Sequence, residues 1–231
     1  MKKNAKQRSA DDLKRKVLSM VIAPGQALDE TQLSAEYGIS RTPLREVIQR
    51  LGGEGYLTLE ENRGAKVASL DLTTLRHFFQ SAPMIYASVA RLAAEQAAAA
   101  DIALLKDIQR AFRLSMTQRQ SSETAAHNHR FHEAIGEIAS SPYLMPSLNR
   151  LLIDHTRIGH MFYRSNSDSD RRRIEEAAEQ HDAMIEAFAN HDPAAAVELT
   201  LQHWELSRGQ MERFVSPDPL PFDMEGYADA V

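Results

Sequence analysis

Three short amphipathic helix patterns and one hairpin pattern fill the first seventy of the 231 residues, and this order restricts the fold more than any other feature. Apolar side chains recur every three or four residues in the helix patterns and alternate with polar ones in the hairpin. The predicted helices and strands cover residues 11–21, 29–37, 41–51, 56–60 and 65–69. Helix, helix, tight turn, helix and hairpin is the order of a winged helix-turn-helix.

Residues that begin or end helices lie between these patterns. Pro24-Gly25 ends the first helix and Gly38 ends the second, whereas Asp29 and Ser40 are the expected N-caps of the second and third helices. The second and third helices are therefore joined by a turn of about three residues, a length typical of helix-turn-helix pairs.

The third predicted helix has a charged outer face. Its inward side chains are Leu44, Val47, Ile48 and Leu51. Arg41 and Arg45 are four residues apart and therefore neighbours on the outer face, where guanidinium groups can bond guanine edges or phosphates. The candidate DNA-binding residues of this helix and the hairpin are Ser40, Arg41, Thr42, Arg45, Gln49, Arg50, Arg63 and Lys66. The alternative is a solvated charged face without a partner.

The charge of the chain is unevenly distributed. The formal net charge is -5, but residues 1–70 carry 12 Lys and Arg against 9 Asp and Glu, whereas residues 71–231 carry 15 against 23. This asymmetry suggests two domains, of which the basic one meets a polyanion. The absence of Cys excludes a disulfide scaffold and a thiolate site, and no apolar run could span a membrane, so we expect a cytoplasmic protein.

Several motifs in the first domain are distinctive: Pro24-Gly25-Gln26-Ala27-Leu28, Leu33, Tyr37-Gly38-Ile39-Ser40-Arg41-Thr42-Pro43-Leu44-Arg45-Glu46, Arg50-Leu51, Gly55-Tyr56-Leu57 and Arg63-Gly64. Together they resemble the DNA-binding domain of the GntR family of bacterial transcriptional regulators. The resemblance implies that Arg41, Thr42 and Arg45 approach DNA from the start of a recognition helix, with Gly64 at the wing tip. It also implies a homodimer that binds a pseudo-palindromic operator in double-stranded DNA.

Residues 71–215 show helix patterns and no convincing strand pattern. Six helices are predicted, over residues 71–99, 101–119, 121–139, 143–163, 171–189 and 192–215, with a polar loop at 165–170. Helices of this length predict an all-α antiparallel bundle, so the chain as a whole is expected to be mainly α. Residues 216–231 are rich in proline and are expected to form an extended or flexible tail. The expected domains are residues 1–70, 71–215 and 216–231.

One polar cluster in the predicted bundle is a candidate metal site. Asn128 and His132 are one helical turn apart, and His181 and His203 lie in the middle of the last two helices. Three imidazoles and one oxygen, presented by facing helices, suit Zn, Ni or Mn. The alternative for each histidine is an exposed or hydrogen-bonded residue, and helical periodicity alone does not show that the three meet.

The run Asn-x-x-Phe-His at 128–132, followed by one His on each of the last two helices, resembles the FCD effector-binding domain of FadR-type members of the GntR family. The resemblance implies that Asn128, His132, His181 and His203 hold a divalent metal. Asn128 stands where the family pattern most often has Asp. Because an amide oxygen brings no charge, metal affinity should be lower than with a carboxylate.

The same resemblance indicates a departure in the first helix of the bundle. Relatives often carry Arg and Glu near the positions of Ala82 and Tyr86, where this chain is more apolar and is interrupted by Pro83. Arg157 and Trp204 are the candidate ligand-binding residues, with Arg157 facing inward to pair with an effector carboxylate or, alternatively, forming a surface salt bridge. The remaining histidines of this region are expected at the surface or behind the metal ligands: His127, His129, His155 and His160.

The expected function is that of a ligand-responsive transcription factor, more often a repressor than an activator. A small organic acid, bound through the metal, would favour one arrangement of the domains and so change the affinity for the operator. Two alternatives remain open: a metal-dependent hydrolase that uses the histidine cluster, and a constitutive DNA-binding protein without an effector. The sequence has no HExxH motif and no evident general base, which disfavours the hydrolase.

Overall fold

The computed structural model describes residues 4–61, 64–164 and 168–215. Its elements are α1 (Ala5–Leu18), α2 (Glu30–Tyr37), α3 (Arg41–Gly53), β1 (Leu57–Glu60), β2 (Gly64–Val67), α4 (Leu72–Gln96), α5 (Ala99–Thr117), α6 (Ser121–Ala139), α7 (Leu144–Tyr163), α8 (Asp168–Ala189) and α9 (Pro193–Val215). The fold is mainly α, with a winged helix-turn-helix before a helical bundle, as the sequence predicts. In the ranges described, no helix is long and apolar enough to cross a membrane.

The three helices of the winged domain pack around a small apolar core. This core takes one stripe from each helix and the inner face of the wing: Ala10, Leu13, Val17, Leu33, Leu44, Val47, Ile48, Leu51, Leu57, Ala65 and Val67. The Asp29 side chain caps α2, and Gly38 ends it in the left-handed conformation, both as predicted. Ser40 occupies the N-cap position of α3, but its side chain makes no capping hydrogen bond.

The first helix differs from its prediction. α1 begins at Ala5 with Asn4 as its cap and ends at Leu18. Val21, which was expected within the helix, lies beyond it and is 72% exposed, because Met20 turns the chain with a φ of 55°. Apolar periodicity could not reveal the true start, since the first turn of α1 is almost entirely polar.

The wing is hydrogen-bonded along both edges of β2. β1 and β2 pair antiparallel and close at Gly64. On the other side, the Leu28 N–H donates to the Ala65 carbonyl and the Val67 N–H donates to the Gln26 carbonyl, both at 2.9 Å. These bonds fix the position of the wing beside α2 and α3.

The second domain is a bundle in which α4 packs against α6, α7, α8 and α9. Pro83 lies inside α4 without ending it, so the single long helix predicted from residue 71 continues to Gln96. α8 begins at Asp168, inside the loop predicted for residues 165–170, whereas residues 165–167 lie outside the described part of the chain. The predicted tail, residues 216–231, also lies outside it.

A buried arginine joins the two domains. Arg157, in α7, is 0% exposed, and its guanidinium donates to the carbonyls of Ala68 at 2.6 Å and Ser69 at 3.2 Å. Both carbonyls belong to the segment between β2 and α4. The guanidinium also pairs with the buried carboxylate of Asp154. Because the Ala68 N–H donates to the Tyr56 carbonyl at 3.0 Å, this segment is bound to both domains.

The neighbouring turn of α7 reinforces this contact. Arg150 donates to Asp154 at 3.0 Å, and its aliphatic stem lies against Gly55 in the winged domain. Gly55 has a φ of +89°, and a Cβ placed there would lie 2.5 Å from Arg150 Cδ. The close approach and the positive φ both require glycine at this position.

We expect Arg157→Met to lower the free energy of unfolding by about 3–5 kcal/mol, because it leaves the Asp154 carboxylate buried without its main partner. Urea denaturation followed by circular dichroism measures this change. Arg91→Met is the matched control, since Arg91 is exposed and its one ion pair among the described residues is with Glu95 in the same helix. An equal, small effect of both substitutions would contradict the importance of the buried pair.

Candidate nucleic-acid interface and metal centre

The outer face of α3 presents the predicted DNA-binding side chains to solvent. Arg41, Thr42, Arg45 and Gln49 are all exposed, while the opposite stripe of α3 is buried in the core. Successive positions of an α-helix turn by about 100°, which places these four side chains on one side. The structure therefore brings together a surface with two guanidinium groups, an amide and a hydroxyl.

Nearby residues orient both arginines. Arg45 Nε donates to Glu30 Oε2 at 3.0 Å, and Arg41 Nη2 donates to Thr31 Oγ1 at 3.3 Å. Both partners lie at the start of α2, so the helix-turn-helix arrangement itself fixes the direction of the arginines. Arg45 remains 66% exposed and can exchange this pairing for a phosphate or base edge.

Arg50 lies on a different side of α3. Its guanidinium donates to Gln7 in α1 at 3.3 Å and lies 3.5 Å from Glu54. On the wing, Lys66 pairs with Glu60 of the opposite strand. The structure thus places Arg50 toward α1 rather than with the arginines of the recognition face, a separation that periodicity did not resolve.

The second strand of the wing begins with a glycine. Gly64 has a φ of +82°, and the space around its Cα is nearly open, with Glu30 Oε1 4.0 Å from a Cβ built there. This geometry lets the backbone approach a neighbouring surface closely. Arg63, predicted on the hairpin as a DNA-binding residue, lies outside the described residues.

Three histidines from three helices meet in the core of the bundle. The ring nitrogens that His132 of α6, His181 of α8 and His203 of α9 can offer to a metal lie within 4.8 Å of one another. All three side chains are buried, with exposed fractions of 4%, 0% and 6%. Helices that are distant in sequence thus create the cluster, which the sequence identified by residue but could not place in space.

Two glutamines orient the imidazoles of this cluster. His181 Nδ1 lies 3.1 Å from Gln109 Oε1, and His203 Nδ1 lies 3.1 Å from Gln180 Oε1. Gln109 is itself held by a bond from its Nε2 to the Ala178 carbonyl at 2.8 Å. An acceptor on Nδ1 fixes the proton there and leaves Nε2 with a free lone pair, the usual arrangement behind a metal-binding histidine.

Three polar atoms of the four predicted metal ligands are buried without a hydrogen-bond partner in the described structure: Asn128 Oδ1, His132 Nε2 and His181 Nε2. An unpaired buried polar atom costs about 1–3 kcal/mol, so three such atoms together call for a ligand. All three are electron-pair donors of the kind that a divalent ion accepts. Tetrahedral zinc needs nitrogens about 3.4 Å apart, so the rings must approach by at most about 1.5 Å.

Burial keeps the imidazoles of this region uncharged. It lowers the pKa of His203 to about 4 and that of His155 to about 3, and it holds the pKa of His132 and His181 well below the usual value. Repulsion from neighbouring imidazoles lowers the pKa of His155, His132 and His181 further. Neutral imidazole is the form that binds metal, so protons do not compete for the cluster near pH 7.

Comparisons with known proteins agree with this architecture. The family model for bacterial regulatory proteins of the gntR family matches residues 5–67, and the FCD domain model matches residues 84–206. The chain belongs to the GntR family, in the branch with an FCD domain. This assignment covers both the recognition helix and the histidine cluster.

Similar GntR proteins are distant relatives of this chain. The Nta operon transcriptional regulator of Aminobacter aminovorans is 38% identical over 36% of this chain, which spans only 40% of that protein. The HTH-type transcriptional repressor RspR of Escherichia coli is 24% identical over 83% of this chain and 82% of its own length. The E. coli McbR/YncC structure has a TM-score of 0.71 at 19% identity, covering 91% and 100% of the two chains, and supports the fold.

Tyr86 fills the position beside the FCD cluster where a charged residue was expected in relatives. Its hydroxyl lies 2.8 Å from His155 Nδ1, and its ring packs edge-on against His132 at 5.4 Å. His155 was expected at the surface or behind the ligands, and it takes the second of these positions: it is 5% exposed, with its ring 4.9 Å from His132. His160, expected in the same class, is also buried. The residue types alone could not show that the orientation of α7 places both His155 and His160 toward the interior.

The structure corrects the role assigned to Arg157. Its guanidinium is bound to Asp154 and to the linker carbonyls, so it neither forms a surface salt bridge nor points at an effector. Trp204 is 4% exposed and packs against Phe78 at 5.1 Å and Tyr86 at 5.8 Å, which makes it part of the apolar core. The sequence analysis did not identify Gln109 as a partner of the histidine cluster. Its position could have indicated this role, because it is a polar residue within the buried stripe of α5.

We expect protein purified without a histidine tag to bind about one divalent ion per chain, with the melting temperature raised by added zinc. His181→Ala should abolish both effects, whereas Asn128→Asp should tighten binding because a carboxylate adds charge to the ligand set. Elemental analysis and thermal shift measure these outcomes, with His77→Ala, an exposed histidine in α4, as the control. Absence of metal binding in the wild type and in Asn128→Asp would exclude a metal centre.

Proposed function

We propose that this GntR protein is an effector-responsive regulator that binds operator DNA as a homodimer through α3 and the wing. The observation that carries the proposal is the pairing of an exposed, arginine-bearing α3 face with a buried histidine cluster in the second domain. Regulators need one surface for DNA and a separate site whose occupancy changes the arrangement of the domains. The repressor RspR, a relative, favours repression as the outcome.

The DNA-binding part of the proposal is supported by the surface of α3. Arg41, Arg45 and Gln49 are long side chains with hydrogen-bond donors that can reach base edges, while Thr42 and Lys66 suit phosphate contacts. An α-helix of this kind fits the major groove, with the wing beside the adjoining backbone. Two such surfaces in a homodimer would bind the two halves of a pseudo-palindrome.

The metal part of the proposal is supported by the unpaired atoms of the cluster. His132, His181, His203 and Asn128 would hold a Zn, Ni or Mn ion, which supplies a Lewis acid that satisfies their lone pairs. Since these residues come from α6, α8 and α9, they would tie three helices of the bundle together. A small organic acid is the proposed effector.

Contacts of α7 support communication between the domains. His155 reaches the cluster through Tyr86 and His132, and the adjacent Asp154 and Arg157 contact the linker to the winged domain. These residues lie within one turn of one helix. A shift of α7 would therefore act on both the cluster and the linker, which gives effector binding a physical route to the DNA-binding surface.

Two alternative functions fit the described residues less well. A metal-dependent hydrolase needs a general base, but the cluster contains no carboxylate, and the nearby Asp154 is already bound by Arg157 and Arg150. A constitutive DNA-binding protein would have no use for buried polar atoms without partners in its second domain. Both alternatives predict that no small molecule changes operator affinity.

We expect Arg45→Ala to weaken binding to the operator at least tenfold, because a base or phosphate contact worth about 1–3 kcal/mol is lost. Gel shift with a genomic fragment upstream of the gene measures the affinity. Arg50→Ala is the matched control on the same helix, since Arg50 faces α1. Unchanged affinity in Arg45→Ala, with dimerisation intact, would remove α3 as the recognition helix.

Operator affinity should also fall steeply with salt concentration. Each phosphate neutralised by Lys or Arg contributes about -0.9 to the slope of log affinity against log salt. Fluorescence anisotropy between 50 and 200 mM salt, roughly the range over which such effects are large, measures this slope. A flat dependence in the wild type is the result that speaks against DNA as the partner.

A further inference from the structure

A large cavity lies at the end of the bundle where α5, α6, α7 and α8 meet. Its volume is about 650 Å³, which is within the usual range for small-molecule sites. Four arginines line it, against a single acidic residue: Arg113, Arg119, Arg164, Arg171 and Glu175. The surrounding domain is acidic overall, with 23 Asp and Glu against 15 Lys and Arg over residues 71–231, so this concentration of positive charge is local.

Two of these arginines have no acidic partner among the described residues. Arg113 is neutralised by Asp182 and Glu175, whereas Arg119 and Arg164 form no ion pair in the part of the chain that the structure describes. Arg119 also has a φ of 56°, at a position after α5 where glycine is the usual residue. Arg119 thus adopts a left-handed backbone conformation that disfavours any residue with a Cβ, and it brings a long cationic side chain to this position.

The inner wall of the cavity is shared with the histidine cluster. Tyr163 and Thr124 line the cavity. The Phe112 ring lies between Tyr163, at 6.0 Å, and His181, at 5.1 Å. Thr124 is one helical turn before Asn128 in α6. One layer of side chains therefore separates the cavity from the proposed metal ligands.

The space beside the histidines themselves is far smaller. A void of about 10 Å³ adjoins His132, lined mostly by apolar side chains such as Val89, Ile135 and Met184. This is room for about one water molecule. A small organic acid therefore fits the arginine-lined cavity, whereas this void beside His132 is too small for one.

We propose that this cavity binds a small dianion, a dicarboxylate or a phosphate monoester, through Arg119 and Arg164, as a site separate from the histidine cluster. Two guanidinium groups that line one cavity match two negatively charged groups of one molecule. Hydroxyl groups of Thr117, Ser121 and Tyr163 provide further hydrogen-bond donors.

Occupancy of the cavity would act on the linker through α7. Tyr163 and Arg164 form the end of this helix, and Arg157 lies seven residues earlier, about 10 Å along the axis. Drawing Arg164 toward a bound anion moves the helix that holds the Ala68 and Ser69 carbonyls. This regulatory consequence rests on the proposed function, whereas binding of the anion does not.

Isothermal titration of the full chain with malonate, succinate, glutarate and glycerol 3-phosphate tests the cavity directly. At least one of these dianions should bind with a Kd below about 1 mM, and the uncharged succinamide should not bind. In the variant Arg119→Ala/Arg164→Ala, affinity should fall at least tenfold. Arg91→Ala, an exposed arginine outside the cavity, should leave it unchanged.

The same titrations with added zinc and after dialysis against EDTA separate the cavity from the metal centre. The affinity for the dianion should be similar with added zinc and after EDTA treatment. Circular dichroism should show that the helices persist in both conditions. Failure of every probe to bind overturns the proposal, as does binding that needs zinc and survives the double substitution. Operator binding by the same proteins, measured without any dianion, tests the regulator function separately. If the wild type does not bind the operator, the proposed function fails while the proposed anion site still stands.

Discussion

The buried ion pair of Arg157 and Asp154 is the contact on which the arrangement of the two domains depends. A guanidinium removed from water costs several kcal/mol unless its hydrogen bonds are satisfied, and here a carboxylate and two backbone carbonyls satisfy most of them. The carbonyls are those of Ala68 and Ser69, so the charge is stable only when the linker is in place. The position of the winged domain is therefore coupled to the packing of α7.

The core of the bundle is polar where most bundles are apolar. Histidines of α6, α7, α8 and α9 meet around Phe131 and Tyr86, and two of their ring nitrogens, His132 Nε2 and His181 Nε2, are buried without a hydrogen-bond partner among the described residues. Such a core stabilises the fold only when a ligand satisfies these atoms. Metal binding at the cluster and stability of the bundle are thus expected to be linked, which gives the second domain a structural use for an ion.

The sequence predicted the local parts of this protein well. Leu44, Val47 and Ile48 recur at helical spacing, which places the face of Arg41 and Arg45 outward with no knowledge of the rest of the chain. Asp29 caps α2 and Gly38 ends it through contacts within a single turn, so these roles too can be predicted without knowledge of the rest of the chain. The start of α1 was missed because its polar first turn has no periodicity to detect.

What the sequence determined by itself was therefore the order of elements and the outer face of α3, because these follow from the spacing and chemistry of neighbouring residues. Only the tertiary structure decided that Arg157 binds a linker 88 residues away in sequence and that His155 is buried beside His132. It also decided that Arg119 and Arg164 share one cavity. Such contacts depend on the rotation and packing of whole helices, which local spacing does not encode.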